Sequence, residues 1–166
     1  MSSVSPPTRS GPPHASSWAG EPPEFYLDEN SAGKSVRRCL TDLGYRVHTP
    51  GELYETWAQA RGQRDEDWLP LVGERGWAVI GSDLKIFERP EELHAYRQAK
   101  VSAFLLPGES RVAQRLALLD VCLADMCTVC MSREVGVWRL TLKGIELYGL
   151  PKSGRRGRSR QEGRAR

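Results

Sequence analysis

No stretch of this chain is apolar over anything near the ~20 residues that a helix needs to cross a bilayer. The N-terminus is rich in Ser and Pro and lacks the apolar core of a secretory signal. Cysteine is scarce, four residues with no framework of spaced pairs, which suits a reducing cytoplasm rather than an oxidising compartment. The three histidines, His14, His48 and His94, are scattered and fit no ligand spacing. Cys122, Cys127 and Cys130 share the spacing C-x4-C-x2-C, but an iron–sulfur cluster needs a fourth thiolate and only the distant Cys39 remains. Their stretch reads as a continuous amphipathic helix with Cys130 on its apolar stripe, so buried, inert thiols are expected. No internal repeat is visible.

What is present is enough for one domain with a core of its own: 166 residues, 39% hydrophobic and 27% charged. The net charge of +3 is unevenly spread. From Pro151 to Arg166 the chain carries seven Lys/Arg and one Glu, so a tail of +6 follows a body of −3. Such a tail is a solvated charge run or a non-specific contact for nucleic acid phosphates. Residues 1–23 are mostly Ser, Pro, Gly and Ala, a composition expected to remain disordered. The division expected is therefore a disordered N-terminal segment over 1–23, a folded domain over 24–148 and a basic disordered tail over 149–166.

Within the domain, short apolar runs alternate with helical periodicity. Strands are predicted over Phe25–Asp28, Tyr45–His48, the Trp77 run, Val101–Leu106 and Val135–Leu142. Helices are predicted over Ser31–Leu43, around Glu52–Ala60, from Asp65 to Gly76, from Pro90 to Lys100 and over Ser110–Met131. The last has the apolar stripe Val112, Leu116, Leu119, Leu123, Met126 and Cys130. Trp68, Trp77 and Trp138 read as core residues; Trp57 is left open. Alternating strands and helices imply an α/β fold of three layers, a mostly parallel central sheet flanked by helices.

The chemistry lies at the ends of these elements. Trp77-Ala78-Val79-Ile80-Gly81-Ser82-Asp83 is a buried-strand pattern ending on a carboxylate, and Phe25-Tyr26-Leu27-Asp28 repeats it. Open α/β sheets place ligands outside the carboxyl ends of their strands. Asp28, Asp65 and Asp83 each follow a strand or open a helix, so all three belong to that one edge. Converging carboxylates repel unless a cation lies between them, and hard oxygen donors select Mg²⁺ or Mn²⁺. Metal held by carboxylates, with water as nucleophile, is the usual apparatus for phosphodiester hydrolysis. Taken singly, Asp65 also serves as a helix N-cap, Asp28 as a cap or strand end, and Asp83 as a turn residue.

The series Leu27-Asp28-Glu29-Asn30, Leu43-Gly44-Tyr45-Arg46-Val47, Asp65-Glu66-Asp67-Trp68-Leu69 and Gly76 to Asp83 resembles the PIN-like nuclease domain over Glu24 to Leu106. It is most similar to the VapC-type toxin branch, with its signature DEN … LG … DE-x-W … V-x-x-x-D-x-K. The resemblance implies a metal-dependent endoribonuclease, the toxin of a toxin–antitoxin pair, with Asp28, Asp65 and Asp83 as catalytic metal ligands. Glu29 and Lys85 match further positions of the branch as accessory residues. Lys85 stands where many PIN domains carry another Asp, and is read as a phosphate contact. The partners implied are RNA and a cognate antitoxin protein; a homodimer is compatible with the family, a membrane is not.

Two readings from other classes compete. A phosphorelay receiver also groups acids after parallel strands, but it wants a Lys after a later strand, where this chain has Pro107-Gly108. A non-catalytic α/β binding module would owe nothing to three acids at one edge.

Overall fold

The computed structural model describes residues 11–27, 33–53, 65–83 and 90–148, with the backbone alone at 65–67, 83 and 90–93. Six strands form one sheet: β1 (Phe25–Leu27), β2 (Val47–His48), β3 (Ala78–Asp83), β4 (Ser102–Pro107), β5 (Gly136–Thr141) and β6 (Gly144–Leu147). Their spatial order is β2-β1-β3-β4-β5-β6. The first five strands are parallel, and β6 returns antiparallel beside β5. Four helices flank the sheet: α1 (Gly33–Asp42), α2 (Asp65–Arg75), α3 (Pro90–Ala99) and α4 (Val112–Met131). The α/β, mostly parallel architecture expected from the sequence is the one found.

The strands are apolar throughout because both faces of the sheet are covered. Phe25, Leu27, Ile80, Phe104 and Leu106 point to one side, where Val36 and Leu40 of α1 meet Leu119, Leu123 and Met126 of α4. Tyr26, Val79, Ala103, Leu105 and Val137 point to the other, against Leu69 and Val72 of α2 and Tyr96 of α3. Each large side chain fully buried in this way contributes about 1.5–3 kcal/mol. Trp68 and Trp138 are buried and Trp77 half-buried, all within these two layers; Trp57 lies outside the described residues.

Several boundaries move. The strand placed at Tyr45–His48 is only Val47–His48, because Tyr45 belongs to the end of α1. There, Gly44 N–H donates to Thr41 O and Tyr45 N–H to Leu40 O, with Gly44 at φ +91. That left-handed helix stop favours glycine. Where a helix was expected from Glu52, residues Pro50–Glu52 make a 3-10 turn and residues 54–60 lie outside the described set. The stripe assigned to α4 was too narrow and began too early: Val112 is 47% exposed, whereas Leu118, Cys122, Cys127 and Val129 are buried. A long helix lying over β4, β5 and β6 and also against α1 is covered on more than one seam. The strand β6 was missed, being four residues with alternation too short to read.

The N-terminal segment departs most from expectation. Gly11 to Pro23 were assigned to a disordered arm, yet Ala15–Ser17 form a 3-10 turn and Ala15 is buried in the α1/α4 layer. Ala15 N–H donates to Leu43 O at 2.7 Å. Composition failed here because one aromatic and one tyrosine hydroxyl hold the segment. Tyr45 Oη donates to Pro13 O, accepts from Trp18 Nε1, both at 2.9 Å, and takes the Cys127 thiol at 3.5 Å. Tyr45→Phe leaves those buried partners unsatisfied, and a loss of about 1–3 kcal/mol is expected in chemical denaturation. Protease cleavage around Trp18 should become faster in the same variant; unchanged stability and cleavage would detach the arm from the fold.

Candidate active site

The strand order makes one position special. From β1 the chain crosses by α1 to β2 on one side, then returns by α2 to β3 on the other side of β1. Connections leaving neighbouring strands in opposite directions open a crevice at their carboxyl ends, here between β1 and β3. The described part of β1 ends on Leu27, so Asp28 is the next residue, and β3 ends on Asp83. Helix α2 begins on Asp65 and runs back towards the start of β3, which puts its N-terminus at the same edge. Eleven residues of helix span about 16 Å, close to the ~20 Å of the six-residue strand beneath.

The topology therefore brings Asp65 and Asp83 to one crevice. Leu27 is opposite Ile80, three residues or about 10 Å along β3 before Asp83. Asp28, Glu29 and Lys85 lie outside the described residues, as do the side chains of Asp65 and Asp83. Among the described residues no group of three His, Cys, Asp or Glu is placed to hold a metal. The donors assigned to this edge are all carboxylate oxygens, a set that fits a hard divalent cation.

A residue the sequence reading did not single out belongs to this edge. Asp83 pairs with Pro107, the last residue of β4. Ser110, 7% exposed, donates from Oγ to Pro107 O at 2.9 Å. Arg115, in the first turn of α4, donates from Nε to Ser110 Oγ at 3.2 Å and from Nη2 to Ser110 O at 2.8 Å. An arginine near the start of a helix is unremarkable in a sequence. Only the strand pairing shows that it stands beside the acids.

The remaining candidates are structural. His48 reaches Glu24 through Nε2 and Glu52 through Nδ1, each at 2.7 Å, and stacks on Trp77 with ring centres 3.7 Å apart. It ties β1, β2 and the turn after β2 together. A cleft of about 680 Å³ opens at the opposite edge of the sheet, beside Glu24, Trp77, Lys100 and Arg133. That is the amino-end side of the strands, away from the acids.

Burial holds the α4 thiols in their neutral form. It pushes Cys127 up to about 11, partly opposed by its bond to Tyr45, and Cys130 up to about 12. Neutral thiols are poor nucleophiles and poor metal ligands. The ordinary value for Cys127 is 9.0, so the folded state holds a proton that the unfolded chain releases above it. Its contribution is complete below pH 9 and is lost as pH rises through about 11. Denaturation midpoints should fall across that window, and less steeply in Cys127→Ala; parallel profiles would refute this.

A family model described as "PIN like domain" matches residues 23–108, a little over half of the chain, from the start of β1 through the end of β4. No curated protein and no solved structure matches. PIN-like domains are generally nucleases, and typically use divalent metals. Sequence pattern, strand order and family match agree, and the chain belongs to the PIN-like domain family.

Proposed function

We propose that this protein is a Mg²⁺- or Mn²⁺-dependent endoribonuclease, and the toxin of a toxin–antitoxin pair. The observation that carries the nuclease reading is the crevice at the β1/β3 switch point, with Asp28 after β1, Asp83 ending β3 and Asp65 opening α2. In this reading the three aspartates hold the cation, Glu29 assists them, and Lys85 contacts phosphate. When bound, the cation supplies activation of the attacking water and neutralises charge on the scissile phosphate. The chain's own residues fix the geometry: β1 and β3 place two acids on adjacent parallel strands, and α2 brings the third.

The toxin assignment rests on the similarity of the four quoted motifs to the VapC-type branch. A small antitoxin reading frame beside the gene would support it. RNA incubated with purified protein and Mn²⁺ should be cut, and EDTA should stop the cutting. Cleavage that persists in EDTA, or no cleavage with either metal, would defeat the reading.

One observation favours a phosphorelay receiver: the order 2-1-3-4-5 is also that of flavodoxin-like folds. A receiver gives no role to an acid opening α2, and β4 ends at Pro107 with Gly108 next and no lysine. Incorporation of phosphate from a small phosphodonor would decide for it.

A further inference from the structure

The acid edge has to receive a polyanion, and the side chain fixed beside it is a cation. Ser110 engages two nitrogens of the Arg115 guanidinium and is itself bonded to Pro107, the residue paired with Asp83. Adjacent strands are about 4.8 Å apart, so the anchor of Arg115 is one hydrogen bond from the neighbour of the β3 acid. On the other side, Nη1 comes within 4.0 Å of where a Cβ on Gly33 would stand. Gly33 is the first residue of α1, five residues after Asp28. The guanidinium thus lies between the start of α4 and the start of α1, on the side of the sheet those two helices share.

Helix stability does not account for an arginine there. A positive charge in the first turn opposes the helix dipole, a loss of about 0.3–1 kcal/mol. The first turn of α4 carries no acid to offset it, and its N-cap residue is also an arginine, Arg111. The guanidinium is half-buried and held by its fork, the arrangement that suits planar recognition of phosphate.

We propose that Arg115 is a substrate-binding residue that grips an RNA phosphate at the acid edge, with Ser110 setting its orientation. This rests on the nuclease reading. It extends the site beyond the family match, which ends at residue 108. The fixed cation and the metal divide the work: the metal answers the charge at the scissile phosphate, and Arg115 orients the strand by a phosphate contact.

Binding separates the two ideas. In an Asp83→Asn background, affinity for a short single-stranded RNA is measured against salt with and without Arg115→Gln. Loss of one phosphate contact should lower the log–log slope by about 0.7. Arg115→Lys should restore the slope. A purely structural arginine would lower the melting temperature and leave the slope alone, which overturns the proposal. Should Arg115→Gln not fold, Arg115→Lys in the active protein decides: KM raised with kcat nearly unchanged supports the proposal, and a parental KM overturns it. Asp83→Asn that still cuts RNA defeats the metal site, whereas an unchanged salt slope defeats only the Arg115 assignment.

Discussion

Asp83→Asn is expected to take RNA cleavage to background while leaving the melting temperature in EDTA level or raised. The two effects have opposite sign because they belong to different states. Without metal, Asp28, Asp65 and Asp83 are like charges assigned to one crevice, and their repulsion lowers stability. Asparagine removes one charge at nearly constant shape, so the metal-free fold loses nothing. Activity behaves otherwise. Even partners outside the ligand shell of a metal cost ~10–100-fold when removed, and a direct ligand should cost more. Mn²⁺ gives the third observable. At a hundredfold excess over Kd, binding to the folded state alone stabilises by about 2.7 kcal/mol, a shift of several degrees. The parent should show it and the variant much less. If Asp83 were a turn residue, the variant would melt lower in EDTA, Mn²⁺ would stabilise neither protein, and any activity would survive.

The acids were legible because strand and chemistry coincide in the chain. Phe25-Tyr26-Leu27 and Ala78 to Ser82 are apolar on both faces of a parallel sheet, and such a run announces both the strand and the carboxylate at its end. Which strands are neighbours was legible only by resemblance; the register Leu27 to Ile80 makes it a fact of this fold. What pattern reading missed depends on contacts between distant segments. Trp18 and Tyr45 are 27 residues apart, and nothing local in a Ser/Pro-rich stretch shows that it docks. Arg115 becomes part of the site through Ser110, Pro107 and the pairing of β4 with β3. For α4, a single stripe suits a helix with one neighbour, whereas this helix meets the sheet and α1 together.

Helix α2 raises the same question at one atom, and Gly73→Ala is expected to lower both stability and activity. The helix includes Pro70 and Gly73, two of the poorest helix formers, so its packing rather than its propensity decides its existence. Propensity alone would reward alanine at Gly73 by about 1 kcal/mol. Against that, a Cβ on Gly73 would overlap the Ala99 carbonyl oxygen and come within 3.5 Å of Ala99 Cβ. The obstacle is backbone at the end of α3, held by the turn in which Lys100 N–H donates to Arg97 O, so no side-chain rotation relieves it. Overpacking of this kind costs about 1–3 kcal/mol. The overlap should win, with a net loss of one to two kcal/mol and a melting temperature several degrees lower. Activity should suffer beyond that. Asp65 stands eight residues, about 12 Å, from the pivot, so a tilt of α2 that clears Ala99 displaces the acid at its N-terminus. A misplacement of about 1 Å can cost ~10²-fold in rate. Glu74→Ala, exposed on the same helix, is the control and should change stability by no more than about 0.5 kcal/mol. A Gly73→Ala protein as stable as its parent would mean that α3 yields at Ala99; one that is destabilised but fully active when folded would mean that the position of α2 does not set the site.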